Sequence, residues 1–252
     1  MDYTLAILFF FVAGLYSSVG LGGGSSYTAL MAIFGVAYQL IPTTSLTLNL
    51  IVTFIGMINF WRGGHGRLTL IAPFLITSIP MAYVAGSLKL SQDIFYFLLL
   101  GTLLLVALRI YALDELKFSF QLSGKPKWLV ILLLGAALGF VAGSVGIGGG
   151  IYLVPLIVMF GLGNEKEAAA AGTLFIWMNS LSGLIARSQS HTFNTEFILP
   201  LAGAVILGGF LGSYVGAFKL PAKAIQKIMG IAILLAIVFL VKKKGLKLNS
   251  AF

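Results

Sequence analysis

No acidic residue occurs between Asp2 and Asp93, and the only Lys or Arg in that interval are Arg62, Arg67 and Lys89. A water-soluble chain covers its surface with charge, at about 25% of its residues. Here 9% of 252 residues are charged and 59% are hydrophobic, with a mean hydropathy of +1.05. So little polar surface cannot shield a core from water, and the uncharged runs have the length of bilayer crossings. The predicted fold class is an all-α polytopic membrane protein. The first apolar run has Asp2 before it and no basic stretch, so it is expected to be a retained span rather than a cleaved signal.

Ten apolar segments can be drawn, at 4–19, 26–38, 43–61, 68–88, 94–112, 128–145, 151–161, 166–187, 196–217 and 223–241. A helical crossing needs about 20 residues. The second and seventh segments are too short and are expected to be half-helices, each opened by a triple glycine. The polar stretch LDELKFSFQLSGKPK separates a first repeat, 1–112, from a second, 128–252, which ends in a basic tail; residues 113–127 are the linker. Trp61 beside Arg62 and Trp128 beside Lys127 are placed as interface anchors.

The net charge of +9 does not point to nucleic acid, because the sixteen Lys and Arg, Arg187 among them, fall outside the apolar runs or at their ends. That is the pattern of topology control and contact with lipid headgroups. With no cysteine, thiol chemistry, disulfides and iron–sulfur clusters are excluded. Two histidines do not make a multi-histidine metal site, and no cofactor is expected.

The two halves are related by a shift of 126 residues. SVGLGGG (18–24) lies over SVGIGGG (144–150), Phe34–Gly35 over Phe160–Gly161, Thr47 over Thr173, His65 over His191 and Gly86–Ser87 over Gly212–Ser213. One offset held from the first loop to the last helices marks an internal duplication. Five segments per half, the first two forming a hairpin or both crossing, reverse the orientation of each half. Two inverted repeats of about eight to ten helical segments are the expected architecture, as in many secondary transporters.

The glycine runs resemble phosphate-binding loops, but the context is wrong. A dinucleotide fingerprint needs a preceding strand and an acid about 20 residues on, and a Walker loop needs a lysine where Ser25 or Ile151 stands. Close helix packing accounts for some glycines. Three adjacent glycines nevertheless break a helix, and broken backbone at membrane depth is tolerated where protein buries it or a cavity hydrates it. Paired breaks in two repeats point to a substrate site between them. A half-helix starting after Gly24, and another after Gly150, would offer free amides and a positive dipole end to an anion. The expected substrate-binding residues are Ser17, Ser18, Gly20, Gly22, Gly23, Gly24, Ser25 and Ser26 in the first copy, and Ser144, Gly146, Gly148, Gly149 and Gly150 in the second. Thr47, Asn49, Thr173 and Asn179 on the third segment of each half either line this site or bond between helices. His65 and His191, in short polar loops, are either a paired proton relay or solvated residues inherited from one ancestor. No mid-span acid, histidine or cysteine supports an intramembrane enzyme.

The motifs GLYSSVGLGGG and GFVAGSVGIGGG, each opening a hydrophobic half of a chain of this length, resemble the TauE/SafE family of sulfite and organosulfonate exporters. The resemblance implies export of a sulfur-containing or carboxylate anion across the cytoplasmic membrane of a bacterium or archaeon. It puts the family motif on Gly20, Gly22, Gly23 and Gly24, and on Gly146, Gly148, Gly149 and Gly150. The copies diverge at Ser25–Ser26 against Ile151–Tyr152, which puts a symmetric site in doubt. The expected partners are thus a small anion and membrane lipids, and an anion-selective channel is the alternative function.

Overall fold

The computed structural model describes residues 3–112, 125–188 and 193–219. Among them are nine helices and no strand: α1 (Tyr3–Ser17), α2 (Gly24–Ile33), α3 (Leu40–Arg62), α4 (Leu68–Ser87), α5 (Gln92–Ala112), α6 (Lys125–Val145), α7 (Gly150–Met159), α8 (Glu165–Ser188) and α9 (Thr195–Phe218). By length and composition α3, α4, α6, α8 and α9 can each cross a bilayer. The chain is an all-α polytopic membrane protein. Helix α6 begins inside the stretch taken as linker, and 113–124, the tenth apolar segment and His191 lie outside the described residues.

Helices α2 and α7 have ten residues each. At 1.5 Å per residue they reach about 15 Å, half the hydrocarbon thickness. They are half-helices, as their length in the sequence suggested.

Two long interfaces are made of backbone against backbone. Gly208, Gly212 and Gly216 on α9 face the carbonyls of Phe10 and Gly14 on α1 and of Ser18 just beyond it so closely that any Cβ would collide. Gly135, Gly139 and Gly143 on α6 face Phe74, Ser78 and Ala82 on α4 in the same way. Spacing of four puts each glycine trio on one helix stripe. In lipid, where no hydrophobic force drives helices together, such close approach supplies the dispersion energy of association. Each half thus lends its first helix to the fourth helix of the other.

At the centre, α3 packs on α8. Gly56 faces Thr173 while Gly183 faces Leu46, so the two helices run antiparallel. Asn59 Nδ2 donates to Ser213 Oγ at 2.7 Å, tying α3 to α9, and Ser182 Oγ donates to the Ile79 carbonyl at 2.8 Å, tying α8 to α4. Large apolar side chains such as Ile76, Phe97, Leu199 and Leu207 point outward, as a lipid-facing surface requires.

Candidate functional site: two helix breaks at the centre of the bundle

Both predicted breaks are present. Gly23, before α2, has φ 87°, and Gly149, before α7, has φ 72°; neither N-cap receives a side-chain hydrogen bond. Only glycine takes these left-handed values without steric cost. Residues 16–29 and 142–151 are buried throughout apart from no more than an edge of any side chain. Each break leans on the third helix of the opposite half: Gly20 against Ala169 on α8, Gly146 against Pro42 on α3. The breaks also touch each other. The Cα of Gly24 faces the Gly146 and Ile147 carbonyls, and Ser45 Oγ donates to Gly146 O at 2.7 Å. Asn49 Nδ2 donates to the same carbonyl at 3.3 Å.

The upstream ends are finished differently. At α1, the Leu21 amide donates to Tyr16 O at 2.9 Å and the Gly20 amide to Ser17 O at 3.1 Å, with Gly20 at φ 74°. This paired arrangement is a Schellman motif. At α6, only the Gly146 amide returns, donating to Ala142 O at 3.1 Å. The Gly143 and Ser144 carbonyls instead accept from Arg187 Nη2, at 2.9 and 2.8 Å. Sequence reasoning placed Arg187 among the lipid-headgroup bases at a helix end. It is 3% exposed and caps α6, because a guanidinium can satisfy two orphan carbonyls at once. Trp61, at the equivalent place in the first half, is not a free interface anchor: its ring covers Gly66 and packs on the core.

Downstream, the half-helix amides are open. Those of Gly22, Gly23, Gly24, Ser25 and Ser26, and those of Gly148, Gly149, Gly150 and Ile151, meet no acceptor among the described residues. These are the orphan donors of a helix start, with the positive end of its dipole. Around α2 the side chains are polar. Tyr16 Oη lies 3.0 Å from Ser25 Oγ and 2.8 Å from Ser26 Oγ. The Tyr27 hydroxyl, covering Gly23, and Asn49 Oδ1, beside Gly22, are buried with no partner. Around α7 they are mostly apolar: Ile176 covers Gly148 and Gly150, Phe175 covers Gly149, and Asn49 Nδ2 also lies beside Gly148.

The remaining predicted residues divide. Ser17 Oγ donates to Gly209 O across to α9 at 3.0 Å. Ser18, Thr47, Ser144 and Thr173 donate to carbonyls three or four residues back on their own chain. Asn179 Nδ2 does the same at 2.8 Å and leaves its Oδ1 unpartnered. His65 lies beyond the end of α3, near the Arg67–Glu167 ion pair, with N–O distance 3.0 Å. It is separated from both breaks. Tyr16, Tyr27, Ser45 and Arg187 were not anticipated. A signal for the first three existed: hydroxyl residues whose partners at the 126-residue offset are Ala142, Leu153 and Ala171, none with a polar side chain.

Buried, glycine-capped half-helices meeting between two sets of spanning helices define a polytopic membrane transporter class rather than a soluble nucleotide binder. The comparisons with known proteins agree. Residues 5–240 match the model of the sulfite exporter TauE/SafE family. The chain is 33% identical over 235 residues to the probable membrane transporter protein y4hK of Sinorhizobium fredii, covering 92% of this chain and 95% of that one. It is 26% identical to the probable membrane transporter protein YjnA of Bacillus subtilis, over 94% and 98% of the two chains. No solved structure matches it. The protein belongs to the sulfite exporter TauE/SafE family, whose members in these comparisons are named as membrane transporters.

Proposed function

We propose that the protein is a secondary transporter that exports sulfite, an organosulfonate or a related small anion across the cytoplasmic membrane, with its substrate held by backbone amides at the glycine breaks. The observation that carries this reading is the set of buried α2 and α7 amides without acceptors, at the centre of the bundle. A buried donor left unmade costs about 1–3 kcal/mol, and at α2 the free amides stand beside two buried side-chain atoms that also lack a partner, Tyr27 Oη and Asn49 Oδ1, which favours a ligand over accident. The antiparallel α3 and α8, and the exchange of first helices between halves, support two inverted repeats related by an axis in the membrane plane. His65 at the rim favours a solvated loop residue over a relay.

The test is thermal stabilisation of the purified protein by sulfite, sulfate, thiosulfate, sulfoacetate, taurine, lactate and chloride. A ligand at 100 times its Kd adds about 2.7 kcal/mol of stability. A shift confined to one sulfur oxyanion or sulfonate is expected. The same anion should then show counterflow in proteoliposomes, which a channel would not give. No shift from any of them in folded protein would return the breaks to a packing role.

A further inference from the structure

The two breaks differ in what surrounds their free amides. At α7 the glycines are covered by Ile176 and Phe175, with Asn49 Nδ2 beside Gly148; that nitrogen already donates to Gly146 O, and the two larger side chains offer nothing to an anion. At α2 two polar groups stand unpartnered against the break, and both Tyr27 and Asn49 are 0% exposed. The Tyr27 ring is fixed by stacking on Phe9, with centroids 4.6 Å apart, and its hydroxyl tip lies over Gly23. The Asn49 amide is oriented by Gly146: its Nδ2 faces that carbonyl, so its Oδ1 faces Gly22. The α2 break therefore presents main-chain amides and a phenolic O–H as donors. It also presents one orphan acceptor, a carbonyl oxygen that an anion without hydrogen would repel.

Charge narrows the ligand further. Arg187, buried at the end of α8, directs its Nη2 to the α6 carbonyls rather than to the α2 break. Compensation at α2 comes from a helix dipole of about half a unit charge and from neutral donors. That suits a monoanion better than a dianion.

We propose that the α2 break alone is the substrate cradle, and that it takes a small monoanion carrying its own hydrogen-bond donor: a hydrogen-oxyanion, or a sulfonate or carboxylate with a neighbouring hydroxyl or amino group. The amides of Gly22 to Ser26 and the Tyr27 hydroxyl hold the anionic oxygens, and Asn49 Oδ1 accepts the ligand's donor. This inference rests on the anion-transport reading above and narrows its site from both breaks to the first.

The experiment compares 2-hydroxyethanesulfonate with ethanesulfonate, which lacks only the hydroxyl, by calorimetric binding to the purified full chain. The wild type should bind the hydroxylated ligand about tenfold more tightly, the worth of one neutral hydrogen bond. In Asn49→Leu the two should bind alike. In Tyr27→Phe both should weaken by about tenfold with their ratio kept. The ligand-free melting temperature of Tyr27→Phe should not fall, since its hydroxyl has no protein partner. Equal wild-type affinities overturn the donor-bearing ligand without any variant having to fold. Unchanged binding in Tyr27→Phe overturns the cradle at α2. Binding of neither sulfonate overturns the proposal as well: failure of the wider anion panel brings down the transport site with it, whereas success there brings down only the donor-bearing substrate.

Discussion

The first and second helix breaks share seven-residue motifs that differ at one position, Leu21 against Ile147, yet they are finished by different chemistry. At the first, α1 ends in a Schellman pair made by the chain itself, and the released half-helix faces Tyr16, Tyr27, Ser25, Ser26 and Asn49. At the second, a single amide turns back, and Arg187 arrives from α8 to take the Gly143 and Ser144 carbonyls. Its half-helix faces Ile176 and Phe175. The matched motifs share a backbone that depends on glycine, while the side chains around them differ. A left-handed turn favours glycine over every other residue, whereas the groups around it are not so constrained, and they are more polar at one break than at the other.

The shared part of the comparison should give the largest effects. Gly20 and Gly146 have φ of 74° and 83°, and a Cβ on Gly20 would run into the Ala169 backbone while one on Gly146 would come within 2.9 Å of Pro42 Cα. A left-handed non-glycine residue costs about 1–2 kcal/mol, and overpacking against fixed backbone about 1–3 kcal/mol. Gly20→Ala and Gly146→Ala should each lose about 3 kcal/mol, read as a fall in thermal midpoint in detergent. A mild loss in one alone would show that the two backbones are not equally constrained. These glycines are therefore poor probes of ligand binding, because any substitution disturbs the fold first.

Arg187 should give the next largest effect, and only on the second break. Arg187→Met leaves the Gly143 and Ser144 carbonyls without donors in a buried place, at about 1–3 kcal/mol each, offset in part by relief of a desolvated charge. A net loss of about 2 kcal/mol is expected, with anion affinity at the α2 break unchanged. If affinity falls with stability, the second break is part of the substrate site and the assignment of that site to the first break alone is wrong.

Much of this was readable from the chain alone. The uncharged runs placed the helices, the 126-residue offset placed both breaks, and the triple glycines placed the starts of α2 and α7 within a residue or two. The chemistry around the breaks was only half readable, for physical reasons. Ser17, Ser18, Ser144 and Thr173 looked like donors to a substrate, but a hydroxyl on a helix finds its own carbonyl three or four residues back before it finds a ligand, and Ser17 finds a neighbouring helix. Arg187 sits at the end of an apolar run, where a base ordinarily reaches headgroups. Its burial follows from α6 ending beside α8, which no local pattern in either helix encodes. Asn49 was anticipated as lining, but its role comes from facing both breaks at once, while its counterpart on α8 is Phe175.

The smallest effect expected separates the two breaks most cleanly. Ser26 and Ser144 both lie in or beside their motif. Ser26 bonds across to Tyr16 Oη at 2.8 Å, a contact between helices within the polar cluster. Ser144 bonds back to Val141 O at 3.3 Å, a local contact that competes with helix geometry rather than adding to it. Ser26→Ala should therefore cost about 1 kcal/mol, the usual net worth of a buried hydrogen bond. Ser144→Ala should change stability by less than about 0.5 kcal/mol, and leave anion binding as it was. The two positions are not counterparts, since Ser144 lies over Ser18 and Ser26 over Tyr152, so unequal unfolding midpoints separate a hydroxyl that bridges helices at the first break from one that stays within its own turn at the second. Equal losses would mean that the hydroxyl at Ser144 meets something beyond its own turn, and that the second break has kept more of the first one's chemistry than its apolar cover suggests.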